Sequence, residues 1–426
     1  MLVRNPLVTR CILVALALGG AVHCTVNAEA PTEVEATAGT GGSSAGAAAA
    51  VTEGGEAGEG GAAGAPEPAC ANLPAQLEKD ATFGPGCVTA KTVVVTAGTL
   101  TLKPGTTVQM ARGGSIEVQS GGALSALGTT DAPILFTSAA KAGAAGDWGC
   151  IALDSGSVDS ALNQVQIEFG GADCGLSTAA SLQIGASINQ LTNIEVRNGL
   201  GHGLRLSSSA RGIRQLHDLK FSAIEKTSLY VTPEAMNALK APIALDGDDT
   251  YVDVDSGAIL DVEHDVTWHN ITVPYRFDGA VDVEAGLTIE PGTTLYPTAG
   301  VYFGDTPNTA LNAVGTATQH IRWTSLESKP APGDWGCLDF WVEKQVTLDY
   351  NDFEYGGACS YGDHSPVILI ESGPSSLGHL SFKADKEVGI QDAWNCPTGS
   401  NLAAICAFSY VGVTTPLFCG GMAACP

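Results

Sequence analysis

Leu100 to Val108 reads LTLKPGTTV, and Leu287 to Leu295 reads LTIEPGTTL, 187 residues further along the 426-residue chain. The offset recurs. GDWGC at Gly146 to Cys150 returns at Gly333 to Cys337, and GGADC at Gly170 to Cys174 returns one residue shorter, as GGAC at Gly356 to Cys359. Two long copies in near-constant register mean one repeated architecture, and repetition of this kind decides the fold before local propensity does. Residues shared by the copies describe a scaffold. Whatever is specific to the protein must lie in residues they do not share.

Within each copy, short apolar runs alternate with Gly, Asn, Asp and Ser. Thr92–Val95, Leu100–Leu102, Ser115–Val118, Ile134–Phe136, Gln164–Ile167 and Ile194–Val196 are answered by Val281–Val283, Leu287–Ile289, Ile321–Trp323, Val346–Leu348 and Val367–Ile370. Runs this short suit half-buried strands bounded by turns. Helical periodicity is nearly absent; Pro233 to Lys240 is the one short candidate, with Thr232 as its N-cap.

The recurring phrases LTIxPGTT, ALxAxGT, I-x-FTS, GDWG and a Gly-Gly-Ala corner resemble bacterial surface proteins with a right-handed parallel β-helix, a group similar in fold to the pectin-lyase-like proteins. The residues carrying the likeness are Leu100–Val108, Ala123–Thr129, Ile134–Ser138, Gly146–Cys150 and Phe169–Ala172. Their counterparts are Leu287–Leu295, Ala310–Thr316, Ile321–Ser325, Gly333–Cys337 and Tyr355–Ala358. Trp268 to Tyr275 resembles a lead-in strand, and the likeness covers about residues 88–390. It implies an all-β solenoid. A lone coil cannot bury its inner face, so coils stack, with about 20–25 residues each and about 13 coils in roughly 60 Å. Both ends of such a stack expose strand edges. The Cys-bearing segments 70–87 and 396–426 are expected to be disulfide-stapled caps on a helix over 88–395. The segment between the copies, about 207–266, keeps strand-and-turn texture, so one continuous solenoid is expected.

Arg4 and Arg10 precede an apolar run from Cys11 to Leu18, the order of an export signal over residues 1–28 and too short to span a bilayer. Ala21-Val22-His23-Cys24 resembles a bacterial lipobox, which implies a lipid on Cys24 and a membrane anchor. Val26-Asn27-Ala28 offers ordinary cleavage instead, and the two readings stay open. Residues 29–69, rich in Ala, Gly and Glu and without an aromatic side chain, are expected to form a disordered tether. The expected place is the outer membrane or surface of a Gram-negative bacterium, with periplasmic or secreted protein as the alternative.

Outside the leader and Cys24, ten cysteines remain, an even set that reads as disulfides in an oxidising compartment. Cys150–Cys174 and Cys337–Cys359 occupy equivalent places in the copies, and Cys70–Cys87 is the third pair; Cys396, Cys406, Cys419 and Cys425 could join in three ways. A formal net charge of −25 opposes nucleic acid and anionic lipid headgroups. A monomer with no resident cofactor is expected, and no spacing suits structural zinc.

Four constellations could carry chemistry. Gly201-His202-Gly203 resembles a polygalacturonase motif but lacks the acidic partners upstream, Asp173 standing alone, so a plain turn is expected. Asp246 to Asp265 is dense in carboxylates; Asp246, Asp248 and Asp249 are the weak Ca²⁺ candidate, against a solvated strand face with Tyr251, Asp253 and Asp255 on one side and Val252 and Val254 on the other. Arg197, Arg205, Arg211, Arg214 and Lys220, with His202 and His217 among them, could align as a positive stripe for an anionic glycan; Lys383 and Lys386 are their only basic counterparts. Asp147-Trp148 and Asp334-Trp335 recur, so a packed turn is expected rather than a sugar platform. The functional expectation is a non-catalytic surface lipoprotein presenting its solenoid to glycans or proteins. The alternative is a polysaccharide lyase or glycoside hydrolase acting on an acidic polysaccharide.

Overall fold

Inward aliphatic side chains alternate with polar ones for only three to five residues before a turn intervenes, as in Thr106–Met110, where Thr106, Val108 and Met110 are buried between half-exposed neighbours. Three such runs make one coil, and each strand pairs in parallel with its counterpart a coil away. Val88, Val108, Phe136, Ile167, Val196 and Phe221 stand in register on face 1. Val95, Val118, Leu153, Ile184, Leu206 and Val231 do so on face 2. Leu102, Ala126, Leu162, Leu191 and Leu216 line face 3. The chain is a parallel β-helix with one continuous apolar interior running from Leu73 to Leu417.

The structure is a computed structural model that describes residues 69–157, 159–174, 178–240, 243, 245, 250–255, 259–260, 264–277, 279–304, 308–341, 345–372, 375–393, 397, 399–419 and 422–425. Cys24, the leader and nearly all of the 29–69 tether therefore lie outside the described residues.

Several strands are longer than a face is wide: Ala161–Glu168, Gln190–Gly199, Leu216–Ile224, Val346–Glu354 and Ser375–Lys383. Each turns a corner at a residue of positive φ, at Gln164 (51°), Asn193 (52°), Asp218 (55°), Tyr350 (51°) and His379 (46°). The left-handed conformation costs a non-glycine residue about 1–2 kcal/mol, least for Asn and Asp. Here it lets a single strand serve two faces. In the second copy the corner side chains stack, with the Tyr350 and His379 rings 4.2 Å apart and nearly parallel.

The recurrent GDWG sequence builds a turn, as its repetition implies. Ser138 Oγ donates to Asp147 Oδ2 at 2.7 Å, and the same oxygen accepts the Ala144 N–H at 2.9 Å. Those two bonds hold the Asp147 carboxyl below its ordinary pKa. The Trp148 ring is fully buried, and its Nε1 donates to the Glu168 carbonyl at 2.7 Å. Gly170 lies tight against it, since a Cβ would come 3.0 Å from the indole.

Three expectations change. Steps along face 2 range from 18 residues (Leu77 to Val95) to 35 (Val118 to Leu153), wider than 20–25, because loops such as that carrying GDWG are inserted at the corners. Pro233 to Lys240 holds a single 3-10 turn, Ala235–Ala238, capped at Glu234 rather than at Thr232. Too short for an α-helix, it is pinned from the next coil by Trp268 Nε1, which donates to the Pro233 carbonyl at 3.3 Å. The segment 70–87 forms the first coil itself, since Ala71–Asn72, Gln76–Leu77 and Ala81–Phe83 pair with the coil above.

The solenoid is continuous between the copies, but with a change of face. From Val231 the face 2 ladder runs to Val254, then to Phe277, and on from Tyr275 to Leu295. Leu295 is the counterpart of Val108, a face 1 residue. The second copy is thus rotated one face about the axis. Cys70–Cys87, Cys150–Cys174 and Cys337–Cys359 are bonded as expected, and Cys406–Cys425 is the C-terminal pairing found. Cys419 is also disulfide-bonded, while Cys396 lies outside the described residues. After the helix Gly399–Cys406, the parallel ladder ends where Met422–Ala423 folds back antiparallel on Thr415–Cys419.

Candidate functional site

The GDWG and Gly-Gly-Ala turns place equivalent strands side by side in the two copies. Ile116–Val118, Ile151–Leu153, Ala180–Ile184 and His202–Leu206 form face 2 of the first; Val301–Phe303, Leu338–Trp341, Pro366–Ser372 and Val388–Asp392 are their counterparts. Period-2 alternation sends every second side chain outward. Outward on the first copy stand Glu117, Ala152, Gln183 and Arg205 in consecutive rungs; on the second stand Tyr302, Asp339, Leu369 and Gln391. Both faces carry a groove at the ends of these strands.

The first groove has a volume of about 580 Å³ and is lined by Arg205, Gln183, Asp154 and the serines 120, 155 and 207–209. Gln183 is only 3% exposed, because the Asp173–Cys174 loop covers it and its Nε2 donates to Cys174 Sγ at 3.3 Å. Its Oε1 and the Nε of Arg205 are buried without a hydrogen-bond partner. Burial, with Glu117 nearby, raises the Asp154 carboxyl above its ordinary pKa. The groove thus offers a guanidinium, an amide and a rim of hydroxyls, a set that recognises carboxylate and hydroxyl oxygens.

The second groove, about 360 Å³, is lined by Tyr302, Phe303, Gly304, Asp339 and Trp341. Neither Tyr302 nor Trp341 stands out in the sequence. The offset of 187 puts Trp341 at the station of Asp154, whereas Tyr302 takes the station of Glu117 only by strand pairing.

The five basic residues do not form one stripe. Arg197 lies on face 1, bonded to Glu168 and, at 2.8 Å, to Glu195. Lys220 is also on face 1, in register with Glu195, whereas Arg205 is on face 2. Arg214 is exposed before the face 3 rung of Leu216, and Arg211 falls in the 3-10 turn Ser208–Gly212. Coil lengths vary too much for sequence spacing to stack them. Arg205 lines the groove.

His202 is buried, its Nδ1 2.6 Å from Thr227 Oγ1 and its ring stacked on Tyr230. Gly203 is dictated by packing, since a Cβ would come 2.6 Å from the Phe221 ring. In the acidic tract, Val252 and Val254 point inward as the alternation requires, but Asp253 is not solvated: it is 5% exposed and 3.3 Å from Arg276 Nε. Asp246, Asp248 and Asp249, the Ca²⁺ candidates, lie outside the described residues. Trp148 and Trp335 are fully buried and offer no sugar platform.

Among known families, residues 75–228 match the model described as a pectate-lyase-like β-helix domain. No curated protein and no solved structure matches the chain.

Proposed function

From a chain whose residues 75–228 carry a pectate-lyase-like β-helix domain, we propose a non-catalytic binder that holds an anionic glycan in the Arg205 groove. The observation carrying this reading is the buried, unpartnered Nε of Arg205 beside the unpartnered Oε1 of Gln183. A uronate carboxylate would accept from the guanidinium, and an adjacent hydroxyl would donate to Gln183. Leaving such groups unpaired when buried costs about 1–3 kcal/mol each, which a matching ligand recovers. Cleavage is the second reading. Hydrolysis works through a pair of carboxyl groups, and of the described residues lining the groove only Asp154 is acidic.

The binder is proposed to act at the cell surface, lipid-anchored through Cys24 and held off the membrane by residues 29–69. No helix among the described residues is long and apolar enough to cross a membrane. Other surface proteins are possible partners of the same solenoid, and the monomer is its working form.

The test incubates the protein with oligogalacturonate, with and without Ca²⁺. Binding that Arg205→Ala weakens about tenfold or more, with no unsaturated or reducing-end product, supports the reading. Product formation abolished by Arg205→Ala makes the protein a lyase or hydrolase instead. Cys24→Ser should release the protein from membranes; unchanged membrane association would refute the anchor.

A further inference from the structure

We infer that the second groove is a separate binding site for a glycan bearing a free amino group, with Trp341 and Tyr302 stacking on the sugar ring and Asp339 accepting from its ammonium. Among the described residues, Trp148, Trp268, Trp323 and Trp335 are fully buried, whereas Trp341 is 50% exposed and Tyr302 is 37% exposed across the same groove. Two large rings left in water on a rigid strand pair lose hydrophobic stabilisation that a flat apolar ligand face restores.

The floor of the groove decides the charge of that ligand. Asp339 pairs with Tyr302 in the ladder and precedes Trp341 by two residues on the same strand, and its Oδ1 is buried without a hydrogen-bond partner. Among the described residues, no basic side chain lines the groove. Burial, with Glu371 nearby, pushes the Asp339 carboxyl up to about 6. A bare carboxylate there needs a donor that also brings positive charge, and an aromatic face attracts that same charge. A quaternary ammonium has charge but no hydrogen to donate, so a primary amine fits better. The comparison with the first copy points the same way. At the stations of Glu117, Ala152 and Asp154 the second copy has Tyr302, Asp339 and Trp341, gaining two rings and a carboxylate in the groove.

The experiment titrates the full chain with a β-1,4-linked glucosamine tetramer and with its fully N-acetylated form, reading Trp fluorescence and calorimetric heat. Expected is binding of the amine form at least about tenfold tighter than the acetylated form, a loss of about tenfold or more with Asp339→Asn, and a larger loss with Trp341→Ala. Arg205→Ala should leave this affinity unchanged, which separates the site from the anionic one. Trp341→Phe, with a smaller ring, should give an intermediate loss and serves if the alanine variant does not fold. Equal binding of the two tetramers, binding of neither, or an Asp339→Asn protein that binds like the parent overturns the inference.

Discussion

The turn built from Ser138, Asp147 and Trp148 and the one built from Ser325, Asp334 and Trp335 match bond for bond. Ser-to-Asp distances are 2.7 and 2.6 Å, the Ala N–H to Asp distances are both 2.9 Å, and both indoles donate at 2.7 Å to a Glu carbonyl. The inner columns beside these turns do not match. Phe136, Ile167, Val196 and Phe221 fill the first; Trp323, Phe353, Phe382 and Tyr410 fill the second, with successive ring centroids 6.2, 5.2 and 5.0 Å apart. The difference teaches that the turns and the ladder set the backbone, while the interior accepts any apolar filling of suitable volume. The outward side chains have diverged further still: the charged stations Glu117 and Arg205 hold the neutral Tyr302 and Gln391, and the station of Ala152 holds Asp339.

The strongest way to break this comparison is to remove the turn's anchor. Trp148→Ala and Trp335→Ala should each destabilise by about 3–5 kcal/mol, in line with a fully buried aromatic, and by similar amounts in urea denaturation. A large cost in one copy only would mean that the turns are not equivalent supports.

A smaller effect should distinguish the copies by pH. Asp385, on the second copy, takes the place of Gly199. It is 1% exposed, accepts the Gly356 N–H at 2.7 Å, and burial pushes its carboxyl up to about 7. Its folded pKa is raised above the unfolded value, so between about pH 4 and 7 the native state keeps a proton that the unfolded chain has released. Stability from this group therefore falls as pH rises through that window and is level above it. The melting temperature of Asp385→Asn should gain on the parent from pH 4 to 7 and keep a constant lead thereafter. A lead independent of pH would refute this assignment.

The smallest effect sharpens the likeness instead. Glu168 is bonded by Arg197, and its counterpart Glu354 by Arg322, with Lys383 at 3.4 Å. Lys383 occupies the station of Arg197. These pairs are partly exposed, so Arg197→Ala and Lys383→Ala should each cost about 0.2–1 kcal/mol, and less in high salt. A larger cost would mark either pair as part of the core.

The sequence made the coil legible because its turns are spelled by fixed words: PGTT, GDWG and Gly-Gly-Ala recur in near-constant register, and the disulfides Cys150–Cys174 and Cys337–Cys359 follow from the same equivalence. The corners at Gln164, Asn193, Tyr350 and His379 were hidden, because nothing in those side chains announces a left-handed backbone except at Asn193. The Arg205 groove was half visible. Its basic residues could be named, but which of them share a face depends on coil lengths that loops change from 17 to 37 residues. Tyr302 and Trp341 were missed because the duplication draws attention to what the copies share, and these residues are what they do not.

The one-face rotation between the copies sets the valency of the molecule. Each groove lies on the same face of its own copy, so in the whole solenoid the two open toward different sides. A straight polymer lying in one groove cannot continue along the axis into the other. On the two proposed sites, chemically unlike polymers would each hold one groove and leave in separate directions, each tethering the other near the protein at raised effective concentration. In mechanical terms the proposed binder is a rivet rather than a track.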